Sequence, residues 1–480
     1  MSNEQHDCCS GGPGYKSPLD AFKNGPREKL IFVTCPNVDK NKHDMLATVC
    51  VDPESEDYCK IIGKVEVPNT GDEVHHTGWN ICSSCHGDVE RKRSHLILPC
   101  LNSSRIYVID VTKDPKKPEI TKIIEPAALY GLGISFPHTA HCLADGTIMI
   151  STLGDENDSP KGDFLLVNSE NFTPISRWIP NDQSQLPFNY DYWYQPRRGL
   201  MISTEWGSPK SIKQGFIPDN VKKEDYGHSV HVWDWEKHNL IQTIELQEPE
   251  GNIPLEVRFL HEPSRANAFV GTALGSAIFH FWRDEQGPGP MEHAMVVSIP
   301  PKRVENWALE WMPALITDIL ISMDDRFLYI SCWLHGDIRQ YDISNPANPK
   351  LVGQCFIGGS IHKQSGVKVL EDKELDSQPE PLVVKGKIVQ GGPQMLQLSL
   401  DGRRLYVTNS LYSVWDKQFY PKLLSEGSTM LQLDVDVGGG IRVNPEFRID
   451  FDKSELLSNG PYLAHEMRYP GGDCTSDIWI

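Results

Sequence analysis

The sequence predicts an all-β fold, a seven-bladed β-propeller with elaborated loops, and three observations predict it. Amphipathic helical periodicity is scarce along all 480 residues, whereas short apolar runs bounded by Gly, Pro, Asn and Asp recur throughout. One unit, a turn followed by a β-rich run that often ends in a small polar residue, occurs in seven copies. The copies recur at roughly 50–75 residues, the interval expected of four-stranded blades.

The seven runs are residues 44–48, 94–99, 146–151, 199–203, 267–271, 326–331 and 404–408; segments 322–331 and 399–408 match at most positions. They read as the second strand of each blade. Most are followed by a cleanly alternating strand (105–110, 163–167, 230–235, 337–342 and 430–434), which reads as the third. The first, channel-lining strands then fall just upstream, at 75–79, 138–141, 190–193, 255–259, 317–320 and 393–396, with 464–468 serving the closing blade.

Counting back seven residues from the turn aspartates Asp145, Asp324 and Asp401 reaches His138, Thr317 and Gln394, so polar groups recur at one height on the inner wall. A shared His-Thr pair sets His76 beside His138, and His465 opens the last such strand. Trp193, Trp233, Trp235, Trp307 and Trp311 read as packing between blades. Ring closure predicts a composite blade, with its inner strand from 464–468 and its outer strands from the first 60 residues, because an open edge would invite aggregation. Residues 477–480 are expected against that blade, burying Trp479. The domain reading is a flexible tail over 1–25 and a single propeller over 26–480, closed by N- and C-terminal strands.

Composition narrows the function classes. With 39% hydrophobic and 23% charged residues the chain reads as globular. Its 46 basic against 65 acidic residues give a net charge of −19, which repels a phosphate backbone, and the run Arg91-Lys92-Arg93 is too short to offset it. Nucleic acid is therefore not an expected partner. No stretch of about 18 apolar residues occurs, so no transmembrane segment is expected. The first nine residues have neither a basic start nor an apolar core, which points to a cytosolic chain. Its 12 cysteines then read as thiols, and their spacing does not give the two CxxC pairs of a zinc ribbon.

Imidazoles from several blades converging on one axis can hold a transition metal. The candidates are His76, His138 and His465 on the wall and His141 near them. His335, in the hairpin joining the second and third strands, reaches in from the same face. Neighbours on a strand face opposite ways, so the sequence leaves open which of His75 and His76 points inward. It also leaves the metal's identity open. Cys82 and Cys85 have the spacing of a redox dithiol, though no βαβ unit of thioredoxin type surrounds them.

These segments also carry a resemblance. Its residues are Gly12-Pro-Gly-Tyr15, Leu46-Ala-Thr-Val49, His75-His-Thr-Gly-Trp-Asn-Ile-Cys-Ser-Ser-Cys85, Phe136-Pro-His-Thr-Ala-His-Cys142 and Tyr194-Gln-Pro-Arg197. They continue through Trp333-Leu-His-Gly-Asp-Ile-Arg-Gln-Tyr341, Gly391-Gly-Pro-Gln394, Trp415-Asp-Lys-Gln-Phe-Tyr-Pro421 and the whole tail from Ala464 to Ile480. The chain resembles the selenium-binding protein family over nearly its full length. The resemblance implies a cytosolic propeller, with the nucleus and the membrane periphery as further locations. It implies oxidation of methanethiol with O2 and water to formaldehyde, hydrogen sulfide and hydrogen peroxide. It implies copper as the metal, in line with the histidine reading, and selenium bound at Cys59. In an enzyme of that kind His335 is the expected catalytic residue, and Glu256 or Asp318 the acceptor of the thiol proton. The alternative from a different class is a selenium or thiol carrier, or a redox sensor, acting through Cys59 or the Cys82/Cys85 pair without turnover.

Overall fold

Seven four-stranded antiparallel sheets account for most strands of the computed structural model, which describes residues 12–182 and 185–480. Six of them run in chain order. Their innermost strands are Gly78–Trp79, Ser135–Cys142, Tyr192–Gln195, Pro254–Phe259, Ile316–Ile321 and Leu396–Leu398. The seventh is composite: Met467–Arg468 pairs with Leu30–Cys35, which pairs with His43–Cys50 and then Lys60–Thr70. The inner strands of successive sheets lie against one another around much of the set, giving a propeller-like arrangement.

The burial pattern follows from this layering. A middle strand has a sheet on each face, so Phe327–Cys332 is apolar and buried along its length. An outer strand meets water, and Glu119–Ile124 and Lys350–Phe356 are mostly exposed or half-buried. The six repeats from 94–99 to 404–408 fall on second strands. Residues 44–48 do not: they lie on the third strand of the composite sheet, whose second strand is Leu30–Cys35. The cause is the missing inner strand, supplied by the other end of the chain, which shifts the N-terminal strands one place outward. The outermost strand accordingly reaches Thr70, ten residues beyond the expected limit.

A small polar residue at or near the end of four second strands has a structural task. Thr34 Oγ1 donates to the His75 carbonyl (2.7 Å), Ser151 Oγ to Tyr190 (2.6 Å) and Thr408 Oγ1 to His465 (2.5 Å), and Thr204 Oγ1 donates likewise to Leu255. Each bond joins one sheet to the inner strand of the next. Acids tie the same joints: Asp191, Asp318 and Glu466 accept the N–H groups of Val257, Leu396 and Thr77.

Three further expectations are corrected. Of the expected flexible tail, residues 12–25 are packed: Ser17 caps a helix over Pro18–Asn24, and Ala21 is buried in one core cluster with Leu400; residues 1–11 lie outside the described residues. Trp311 does not pack between sheets but is 44% exposed, on a short strand of an accessory sheet. Trp479 is buried, yet not against the composite sheet: it joins Leu396 and Leu398 and meets the His261 ring edge-on at 5.4 Å, while Ile478 packs with Trp193 and Tyr194. The last residues therefore cross the end of the channel. No helix among the described residues is long and apolar enough to cross a membrane.

Candidate metal centre

The two hydrogen-bond devices set the register of the channel wall. Carbonyl acceptance makes His75, Tyr190, Leu255 and His465 equivalent positions on four inner strands. Thr317 precedes Asp318 as Tyr190 precedes Asp191, and Gln394 lies two residues before Leu396 as Leu255 does before Val257. Ser151 Oγ receives the Thr139 N–H as Ser331 Oγ receives that of Asp318, which adds His138. One level of the wall thus carries His465, His75 and His138 on adjacent sheets, then Tyr190, Leu255, Thr317 and Gln394.

The histidine arc is a cluster. His75, His76 and His138 each offer a ring nitrogen, all within 4.8 Å of one another. His465 stacks on His75 (centroids 3.7 Å apart, planes at 25°), and its Nε2 lies 3.4 Å from His76 Nε2. All four rings are buried. The wall equivalent of His138 is His75, one residue earlier than the His-Thr pairing placed it. His76 still turns inward, because residues 75–77 precede the Gly78–Trp79 strand and are not bound to strict alternation.

The hydrogen bonds fix the tautomers. A backbone carbonyl only accepts, so His465 donates Nδ1–H to Ser410 (2.7 Å). Glu466 lies 3.1 Å from His76 Nδ1 and also accepts from Arg468 at 2.5 Å. Burial would raise the carboxyl, but Arg468 and His76 outweigh it and hold Glu466 well below the usual carboxylate range. The ionised Glu466 accepts the His76 Nδ1–H. Both Nδ1 atoms are thus engaged, which leaves the two Nε2 atoms facing each other. His75 Nδ1 and His138 Nε2 are also buried without a protein partner. Burial, then the neighbouring imidazoles, hold His75 and His138 well below the usual imidazole range; burial, then His76, takes His465 down to about 3. Buried imidazoles whose ring nitrogens converge in this way suit a cation. Two ligands held at ~2.0–2.1 Å from one tetrahedral ion sit about 3.3–3.4 Å apart.

The other predicted residues lie elsewhere. His141 packs edge-on against Tyr192 and Trp193, with both ring nitrogens unpartnered. His335 donates Nε2–H to the Met312 carbonyl at 3.2 Å and has no ring contact with the four-histidine cluster. Its hairpin is pinned by Gly336, at φ +84°, where a Cβ would stand 2.0 Å from the Gly358 carbonyl oxygen. Cys59 is half-buried in the turn between Cys50 and Lys60, its thiol 3.7 Å from the Glu446 carbonyl and pushed up by burial. Cys82 and Cys85 are buried and belong to a larger thiol group: Ser84 Oγ lies 3.0 Å from Cys82 Sγ and 3.3 Å from Cys142 Sγ. The Cys142 contact lowers the Cys85 thiol to about 7.

Beside the histidines lies a buried layer of charge. Arg258 contacts Asp191 (2.7 Å), Glu256 (2.8 Å) and Asp318 (3.7 Å). Burial, then Asp191, pushes Glu256 well up, and burial takes Asp318 up to about 7. The Tyr190 ring lies 4.0 Å from that of His138, and burial, then Glu256, pushes its phenol well up. Sequence reasoning gave no role to Glu466, Tyr190 or Cys142. For Glu466 the signal was available, since it adjoins a channel histidine on an inner strand.

The family model of the 56 kDa selenium-binding protein matches residues 9–480. A methanethiol oxidase of Xenopus laevis is 57% identical over 98% of this chain and 99% of its own, and that of Homo sapiens 55% with the same coverage. A solved structure described as a hypothetical selenium-binding protein from Sulfolobus tokodaii superposes with a TM-score of 0.85, at 37% identity, covering 97% of this chain and 98% of its own.

Proposed function

The chain belongs to the 56 kDa selenium-binding protein family, and from that premise we propose that it is a methanethiol oxidase. Its seven sheets are read as the seven blades of one closed propeller, around a copper site held by His75, His76, His138 and His465. The reaction is CH3SH + O2 + H2O giving HCHO, H2S and H2O2. Full-length identity of 55–57% to proteins of that name supports the activity. At the site, the observation that carries the reading is the pair of facing Nε2 atoms 3.4 Å apart, with the Nδ1 of each ring held by a neighbour. Copper bound there would supply a soft acceptor for the substrate sulfur and a route for electrons to O2.

The chain's own groups supply the rest. Ser410 and Glu466 engage the Nδ1 atoms of His465 and His76 and so hold their Nε2 atoms inward. Burial, then Asp191, pushes Glu256 up, which makes it the poorer of the two candidate acceptors. Asp318, at about 7, is poised to take the thiol proton. The carrier reading through Cys59 finds no support at the cluster, because Cys59 sits on the edge of the composite sheet.

The test is to load purified protein with copper and follow hydrogen sulfide and formaldehyde from methanethiol, alongside H465A, H335A and C59S. The expected result is turnover by the loaded wild type, loss of copper and activity in H465A, copper retention in H335A, and unchanged turnover in C59S. A loaded wild type no faster than the metal-free protein would refute the oxidase reading.

A further inference from the structure

Beyond His465, His75 and His138, the same level of the wall carries Tyr190, Leu255 and Thr317, and these three line an internal cavity together with Trp206, Leu411 and Trp415. Tyr190 stands between this cavity and the histidine cluster. The Tyr190 ring lies 4.0 Å from His138 on one side and 5.5 Å from Trp206 on the other, and Leu411 follows Ser410, whose carbonyl holds His465.

Two polar groups on this lining are already engaged: Thr317 Oγ1 meets Ser331 Oγ at 3.1 Å, and Trp415 Nε1 donates to the Ile212 carbonyl at 3.2 Å. The rest of the lining is mostly apolar and aromatic, so an occupant gains chiefly apolar contact. The space is also small: the centre of a water-sized sphere has about 10 Å³ in which to move. That is close to the ~10–15 Å³ that holds a single such group.

We propose that this cavity receives the alkyl group of the thiol, and that its size restricts the enzyme to a one-carbon substrate. The proposal rests on the oxidase reading above. With the sulfur directed to the histidine arc, the methyl group enters this cavity at the same level of the wall. A second carbon must displace Leu255, Leu411 or an indole from close packing, which a dense interior resists. Leu255 and Leu411 are thus specificity-determining residues.

The experiment compares kcat/KM for methanethiol and ethanethiol on the copper-loaded wild type, L255A, L411A and the narrowing variant A273V, at the remaining small residue of the lining. The wild type should favour methanethiol at least about tenfold, the usual worth of one methylene in a fitted pocket. L255A and L411A should each move the ratio toward ethanethiol by about tenfold. General damage lowers both thiols alike and leaves the ratio in place. A ratio unmoved in both variants, folded and copper-replete with measurable methanethiol turnover, overturns the proposal. If neither variant folds, A273V decides: a fall in methanethiol kcat/KM at unchanged copper content supports the cavity, and an unchanged value overturns it. A wild type without methanethiol turnover removes the oxidase reading and this proposal together, whereas turnover with an unmoved ratio removes the cavity alone.

Discussion

Glu466 gathers three donors in a buried place: the Thr77 N–H, the His76 Nδ1–H and the Arg468 guanidinium. Its neighbour His465 is fixed by a single carbonyl. Just before one short strand, adjacent residues thus place one channel histidine and orient another that lies 389 residues away in sequence. Replacing Glu466 by Gln keeps the shape but removes the charge that orients His76 and offsets a bound cation. The expected outcome is a copper affinity lower by about 10- to 100-fold, the usual effect of losing a partner behind a ligand. Competition against a chelator measures it, and an affinity equal to the wild type would show that Glu466 only ties sheets together. His138 and His465 were legible from blade position alone. The phase of His75 and His76 was not, because it depends on where a two-residue strand begins, and only the hydrogen bonds to Thr34 and Glu466 reveal that.

Among the elements, the runs of Ile, Val, Leu and Tyr betrayed the second and third strands, since a strand buried on both faces must be apolar throughout. Inner strands were harder to delimit, because channel-facing residues are polar and several strands are only two or three residues long. Least legible were the insertions at 204–228 and 408–428, which join second to third strands and bring Trp206, Phe216 and Trp415 together around one cavity. The helix Ser413–Phe419 is moored by Asp416, which accepts from Ser410 Oγ (2.6 Å) and from the Leu411 N–H (2.9 Å). Burial pushes Asp416 from 3.8 up to about 7. A raised carboxyl binds its proton in the folded state, so its contribution is complete below about pH 4 and is lost as pH rises through about 7. The insertion should therefore be better protected at pH 5.5 than at pH 8. Hydrogen exchange over 408–428, corrected for intrinsic rates, reads this directly. Asp416→Asn mimics the protonated form and should flatten the dependence; equal wild-type protection at both values would contradict the mooring.

At the scale of the whole molecule, the chain's two ends meet in one sheet. Met467–Arg468 supplies the inner strand of the composite sheet and carries His465 beside it, so the proposed ring closure and the candidate metal centre depend on the same few residues. The residues that follow do something different. Arg468 bonds to Thr475, Asp477 accepts from Ser83 and Arg93, Cys474 donates to the Leu398 carbonyl, and Arg197 donates to the Ile480 carbonyl. This floor ties the first, third and sixth sheets across the channel. Two truncations separate the roles. Deleting 470–480 spares His465 and the closing strand, so the protein should stay soluble and bind copper. It should nevertheless melt several degrees lower, because exposing or removing Ile478 and Trp479 forfeits about 1.5–3 kcal/mol for each buried side chain. Deleting 463–480 removes the inner strand too, leaves Leu30–Cys35 as an unpaired edge, and should abolish copper binding and solubility at once. Calorimetry, metal analysis and size-exclusion chromatography on the two proteins give the answer. A 463–480 deletion that remains soluble and copper-loaded would mean that the ring closes without its C-terminal strand.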